Sequence, residues 1–290
     1  MVLCMVLGRM TELMAIQGKN TREVLQERAA QSVQIAHHLG GWITTPIMAW
    51  MLWPAAGNRK KYAERLMAEM IARGWLLKRV LPNRMTAGVV TAAGAKMANE
   101  SYALPPHSLL STTKSGTDWG KTVSGKWSPP LSWKHQLRAG KFMAWISARQ
   151  WQAPWRMGTI LFDMQIQRCN PTMLKRPDGL FSLYVPDTDK THTVWVEVES
   201  SRKTGPELTK LIAIFQDIQC KKAPPIHWED EYLTRSETAA SCALVVPGDF
   251  DEKALERRVQ RRLVADETLS FTLYREEGEG FISRGMTCQA

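Results

Sequence analysis

Three acidic side chains stand where a short stretch of chain can bring them together. Thr193-Val-Trp-Val-Glu-Val-Glu199 has the period-two alternation of a strand, which puts Val194, Val196 and Val198 on one face and Trp195, Glu197 and Glu199 on the other. Gly179–Val185 reads as a neighbouring strand, entered through a turn at Lys175-Arg176-Pro177-Asp178, and the polar turn Pro186–Lys190 makes the pair a hairpin. Two glutamates on one face, near an aspartate at the start of the adjacent strand, repel one another unless a cation or basic group lies between them. A hard divalent cation requires such a cluster of carboxylate oxygens. The other reading is an edge strand whose acids simply face water.

The elements around this hairpin are those of one α/β domain spanning 133–290. Helices are predicted over Trp133–Gln150, which carries His135, Arg138 and Lys141, over Thr159–Arg168, over Pro206–Gln219 and over Asp251–Ala265. The last of these places Arg257, Arg258, Arg261 and Arg262 on one face, to meet a DNA backbone or only solvent. Strands are predicted over Cys242–Val246 and Leu269–Tyr274.

The amino-terminal part reads differently. Apolar positions from Glu27 to Leu39 recur at helical spacing until Gly40-Gly41 stops them. Thr44-Thr45-Pro46 opens a short second helix through Leu52, and a third runs from Asn58 to Arg73. Two strands, Trp75–Leu81 and Met85–Thr91, meet at an exposed turn, Pro82-Asn83-Arg84. Three helices and a hairpin in this order predict a winged helix-turn-helix over 25–100, preceded by a segment, 1–24, to which no role is assigned. Arg59, Lys60, Lys61 and Arg65 occupy the first two turns of the third helix, which enters the major groove in that fold, and Arg84 lies at the wing tip. These residues are therefore expected to bind double-stranded DNA. The alternatives are a solvated helix face or a protein contact.

Charge sharpens this division. Residues 55–100 hold nine basic and three acidic side chains and 101–156 hold eight and one, whereas 157–290 hold 17 and 21. A basic middle and an acidic end suggest polyanion capture first and carboxylate chemistry later. Residues 101–132, rich in Pro, Gly and Ser, read as a basic linker. There Lys114, Lys121 and Lys126 alternate with Trp119 and Trp127, which either stack unpaired bases beside a nick or pack against protein. For Trp133, Trp145, Trp151 and Trp155 the expectation is a packed core. The five cysteines are scattered without metal or disulfide spacing, and His37-His38 fits a helix end better than a metal site. The longest apolar run, Pro46–Ala56, is too short to span a bilayer, so a cytoplasmic protein without membrane contact is expected.

With Pro177-Asp178 at one strand start, Glu197-Val198-Glu199 at the end of the next and a helix following, the second domain resembles the PD-(D/E)xK nuclease superfamily. More narrowly, a winged helix followed by Arg176-Pro177-Asp178-Gly179 and Val196-Glu-Val-Glu-Ser-Ser-Arg-Lys203 resembles the plasmid mobilisation protein C (MobC-type) relaxases and replication-relaxation proteins. The resemblance implies an α+β chain in which a winged helix precedes a restriction-endonuclease-like domain with a mixed central sheet. It implies a relaxase-like endonuclease that nicks or cleaves DNA with Mg²⁺ or Mn²⁺, alongside other mobilisation or replication proteins. Asp178 and Glu197 would then hold the metal, with Asp163 as a further acidic ligand. Glu199 stands where the superfamily has its lysine, so it binds metal or orients water, and Lys203 supplies the positive charge. Tyr184, on the strand after Asp178, is the one tyrosine considered for a covalent step, without assignment. The departure at Glu199 equally suits a catalytically inactive, DNA-binding accessory protein that keeps the fold as a scaffold.

Overall fold

A computed structural model of the chain describes residues 21–102, 119–149, 156–173, 175–185, 190–199, 205–229 and 234–289. The chain is of mixed α and β type and divides into two compact units. The first takes in the described residues up to Trp133 with 144–149. The second takes in Lys134–Met143 and the described residues from 156 onward. None of the described helices is long and apolar enough to cross a membrane.

In the first unit, α1 (Thr21–His38) ends at Gly40 and Gly41, both at positive φ, and a strand the sequence did not suggest follows at once, β1 (Trp42–Thr44). Three residues are too few to show a period. What makes this segment a strand is pairing, since β1 lies antiparallel to the later strand Thr86–Val90, with Trp42 opposite Val89. Helix α2 (Thr45–Leu52) has Pro46 in its first turn, where the missing N–H costs nothing, and α3 (Arg59–Ala72) is closed by Gly74 at φ 70°. Strands β2 (Leu76–Val80) and β3 (Thr86–Val90) are antiparallel, giving the sheet order β1-β3-β2. Their turn is held by Asn83 Oδ1, which accepts from the Met85 amide at 3.2 Å, and by Arg84 in the left-handed region. Helix α4 (Ala92–Tyr102) starts against the Trp75 carbonyl; a Cβ on Gly94 would stand 2.2 Å from that oxygen, so only glycine lets the helix approach so closely. Val33, Trp42, Ile43, Ile47, Met48, Met70 and Leu76 form the unit's buried centre.

Part of the expected linker is built structure. Residues 121–128 form a hairpin, β4 (Lys121–Val123) and β5 (Lys126–Ser128), before α5 (Trp133–Arg149), whose residues are shared between the units.

The second unit is a six-stranded mixed sheet in the order β13-β12-β11-β8-β7-β6. β6 (Arg156–Phe162), β7 (Gly179–Val185) and β8 (Lys190–Val198) are antiparallel; β8, β11 (Ser241–Val246) and β12 (Thr268–Glu277) are parallel; and β13 (Gly280–Gln289) returns antiparallel to β12. The helix expected over Thr159–Arg168 is corrected by β6: the apolar run to Phe162 completes the sheet edge, and only α6 (Asp163–Cys169) is helical. α7 (Gly205–Gln219) precedes a small hairpin of β9 (Ile226–Glu229) and β10 (Thr234–Glu237). α8 (Glu252–Gln260) is capped by Asp251 Oδ1, which accepts from the Ala254 amide at 2.9 Å. It ends at Gln260 with Arg261 as its cap, short of the predicted Ala265, and Arg258 and Arg262 donate to the helix's own carbonyls at Ala254 and Arg258.

Both faces of the sheet are covered. Leu208, Leu211 and Phe215 of α7 and Leu255 and Val259 of α8 join Trp195, Leu244 and Leu273 in one cluster. On the other face Phe142 of α5 meets Phe181, Tyr274 and Phe281. β8 is therefore an interior strand.

Candidate functional site

The burial of β8 settles the edge-strand alternative for the acids. Glu197 is 1% exposed and Glu199, one residue past the strand, 5%. An ionised carboxylate at such a place is costly unless it is paired and hydrogen-bonded, and at Glu197 the surrounding residues supply both. Lys175 Nζ donates to Glu197 Oε2 at 2.6 Å, and the Trp195 indole N–H, on the same strand face two residues earlier, donates to Oε1 at 2.7 Å. Burial, then the nearby charge of Asp178, push the Glu197 carboxyl up to about 6, against the pull of Lys175 and Trp195. Burial and the Glu197 charge also push the neighbouring Cys242 thiol up to about 12.

Asp178 comes to the same place from β7. It directly precedes the pair Gly179↔Val196, so it stands beside Glu197 at one end of two adjacent strands. Its amide donates to the Val196 carbonyl at 2.9 Å, and its Oδ2 accepts from the Val198 amide at 2.7 Å, so the backbone aims the carboxylate. Oδ1 lies 2.9 Å from His135 Nε2, from the first turn of α5. This hydrogen bond, with the charges of Asp178, Glu199 and Glu197, holds the imidazole above its ordinary range despite partial burial. Burial pulls the Lys175 ammonium down, but Glu197's charge and hydrogen bond outweigh it and keep the group protonated. Asp163, at the start of α6, feels the same field, its carboxyl raised by burial and then by Asp178.

Of the expected residues, Asp178 and Glu197 stand side by side, with Glu199 two residues further along and Asp163 near enough for its carboxyl to feel the Asp178 charge. Lys203 lies outside the described residues, as do the Tyr184 side chain, residues 103–118 with Lys114, and Trp151 and Trp155. Lys175 and His135 were not assigned a role from sequence. The signal for Lys175 was the requirement already stated, a cation beside clustered carboxylates, with the lysine three residues before Asp178 as the nearest supplier. Arg138 and Lys141 are turned inward: Arg138 donates to the Glu199 carbonyl at 3.1 Å and pairs with Glu276, as does Lys141.

Carboxylate oxygens from Asp178 and Glu197, with Asp163 alongside, are the donor chemistry that a hard divalent cation takes, so these residues fit such an ion in kind. As arranged, Lys175 holds the cation's place on Glu197, and among the described residues no three His, Cys, Asp or Glu side chains are grouped to hold a metal.

In the first unit, Lys60, Lys61, Arg65 and Arg84 are exposed as expected. Arg59 is not fully outward: its guanidinium lies 3.7 Å over the Trp50 ring. Lys121 and Lys126 are exposed on the β4–β5 hairpin. The base-stacking alternative for Trp119 is corrected, because its ring stacks on Trp42 at 4.3 Å and 12° and is 7% exposed. No family model, curated protein or solved structure matches the chain.

Proposed function

We propose that the protein binds double-stranded DNA through its first unit and, with Mg²⁺ or Mn²⁺, nicks or cleaves a phosphodiester bond in its second, in the mobilisation or replication of a plasmid or other mobile element. The binding half is supported by the order α1-β1-α2-α3-β2-β3 and the sheet order β1-β3-β2, the arrangement of a winged helix. In that arrangement Lys60, Lys61 and Arg65 on α3 face the groove, Arg59 braces the start of the helix on Trp50, and Arg84 meets the backbone.

One observation carries the cleaving half. Asp178 and Glu197 share one end of adjacent strands in a sheet covered on both faces, with Glu197's ionised form disfavoured there. Folding alone favours an apolar residue at such a position; perturbed, clustered carboxylates mark a working site. Bound between them, the metal ion would lower the pKa of a water and offset charge on the phosphorane-like transition state. The chain's own residues do the rest. Asp178, fixed by the Val198 amide, orients His135 and favours its protonated form, which places a proton at the ring for the leaving oxygen. Lys175 neutralises Glu197 while its side chain is 42% exposed, which leaves the ammonium within reach of an incoming phosphate. It supplies from the preceding loop the positive charge that Glu199 does not.

A second reading rests on a specific observation as well. All four oxygens of Asp178 and Glu197 already meet protein donors, from His135, Val198, Lys175 and Trp195, which suits a DNA-binding accessory protein whose former site is closed by ion pairs. Supercoiled plasmid incubated with Mg²⁺ or Mn²⁺ separates the two. Metal-dependent nicking by the wild type that disappears in both Asp178→Ala and Glu197→Ala supports the nuclease. Tight plasmid binding without nicking supports the accessory protein.

A further inference from the structure

A hairpin with three residues in each strand does not hold itself together in water, yet β4–β5 is fixed in one place. Ser124 and Gly125 both adopt positive φ, 50° and 76°, the left-handed pair of a two-residue hairpin turn. Gly120 lies at φ 142°, where a Cβ would stand 2.2 Å from the Ser128 carbonyl oxygen, so the open end of the hairpin is drawn tight. Just before it, Trp119 is buried flat against Trp42 of β1. From β5, Trp127 receives the Arg79 guanidinium of β2 at 5.7 Å. The hairpin is therefore pinned at two points to the three-stranded sheet.

What it presents is specific. The pairs Lys121↔Ser128 and Val123↔Lys126 put both lysines on one face, while Thr122↔Trp127 puts the anchoring ring on the other. The anchored face thus meets β2, and the opposite face carries two exposed positive charges, Lys121 and Lys126. Lys78 and Arg84 of the first hairpin are exposed too. No Asp or Glu occurs in the sequence from Trp119 to Phe162, or from Arg73 to Asn99, so neither hairpin brings an acid of its own to neutralise these groups. Exposed lysines alone are ordinary; two aromatic anchors that hold them beside a basic hairpin are not needed for solubility.

We propose that β4–β5 is a second wing, which grips the phosphate backbone of duplex DNA beside the β2–β3 turn and lengthens the footprint set by α3. This rests on the reading that the first unit binds DNA. Phosphate contacts of this kind position a protein without reading sequence. Each neutralised phosphate adds about 0.9 to the slope of log affinity against log salt.

The test uses the full chain and a fluorescent duplex of mixed sequence, titrated at several salt concentrations. Lys121→Ala/Lys126→Ala is expected to lower the salt slope by about 1.8, two phosphates' worth, and Trp119→Ala, which keeps both lysines but frees the hairpin, to weaken binding in the same direction. Far-ultraviolet circular dichroism of each variant checks that it is folded, and the double-lysine result stands whatever becomes of Trp119→Ala. An unchanged slope in the double variant, with a wild type whose slope falls in Arg59→Ala/Lys60→Ala/Lys61→Ala, overturns the second wing and leaves the DNA reading standing. A loss seen only with single-stranded DNA overturns the duplex assignment. A wild type with no salt-dependent duplex binding overturns both.

Discussion

The two units use charge in opposite ways. On the first, the exposed charge is mainly of one sign: Lys60, Lys61, Arg65, Lys78, Arg84, Lys121 and Lys126 outnumber acids such as Glu64 on the same helix. In the second, Asp178, Glu197 and Glu199 are gathered with Lys175 and His135 at the end of an interior strand pair, each sign held against the other. Water screens the first set, so its self-repulsion costs the fold little and its field reaches outward to a polyanion. The glutamates of the second set are shielded from water, so they and their partners fix one another's protonation and position. Exposed charge of one sign therefore speaks of a partner, and buried charge of both signs speaks of chemistry or of specific assembly.

Mutations can break this contrast. The largest effect is expected for the aromatic stack that underlies the exposed set: Trp42→Ala should cost about 3–5 kcal/mol in urea-induced unfolding of the first unit. Next, Lys175→Ala leaves the buried Glu197 carboxylate without its ion partner. Breaking a fully buried pair is strongly destabilising, but the Lys175 side chain is 42% exposed and solvent screens part of the interaction, so the loss should be about 2 kcal/mol at pH 8. That loss should shrink toward pH 5, where Glu197 is protonated. Glu197→Gln should do the reverse at pH 8. A carboxyl raised from 4.5 to about 6 contributes stability that is present below pH 4.5 and lost as the pH rises through 6. A neutral amide that keeps the Trp195 hydrogen bond should therefore unfold at a higher temperature than wild type at pH 8, with a gain in stability of up to about 2 kcal/mol. A lower melting temperature for Glu197→Gln across pH 5–8 would mean that the ion pair stabilises the fold and would blunt the contrast.

Smaller still is the effect of Asp178→Asn on His135. Its ring nitrogen loses the carboxylate partner, so its titration, followed by proton NMR, should move down toward 6.5. The stability contributed by protonated His135 is present below 6.5 and lost as pH rises through its higher folded value, so Asp178→Asn should remove that part of the pH dependence. The smallest effect on folding belongs to Lys60→Ala/Lys61→Ala, within about 0.5 kcal/mol of wild type. If that pair destabilises as much as Lys175→Ala, the exposed set is structural after all.

How much of this was legible in the sequence depended on whether local pattern or distant pairing made each element. The three helices and the hairpin of the first unit carried their own periods, stops and turn residues, and they fall within a few residues of where those signals put them, apart from the earlier start of α1; the cap expected at Thr44 makes no side-chain hydrogen bond to α2. β1 and β4–β5 did not, because their strands are three residues long and exist through Val89, Trp42 and a glycine turn rather than through alternation. Thr159–Phe162 is apolar enough for either state, and the neighbouring β7 decided for a strand. The carboxylates were legible because alternation alone aligned Glu197 with Trp195. Their neutralisation was not, since Lys175 and His135 reach the site from a loop and from a helix end, neither with a spacing that points to a strand.

The Trp119–Trp42 stack also sets an order of assembly. The hairpin's place depends on an indole surface that exists only once β1 has paired with β3, and the two tryptophans lie far apart in the chain, so closing that contact early is entropically unfavourable. The hairpin therefore joins last and opens first, and its amides should exchange with solvent well before those of β1 and β3 do.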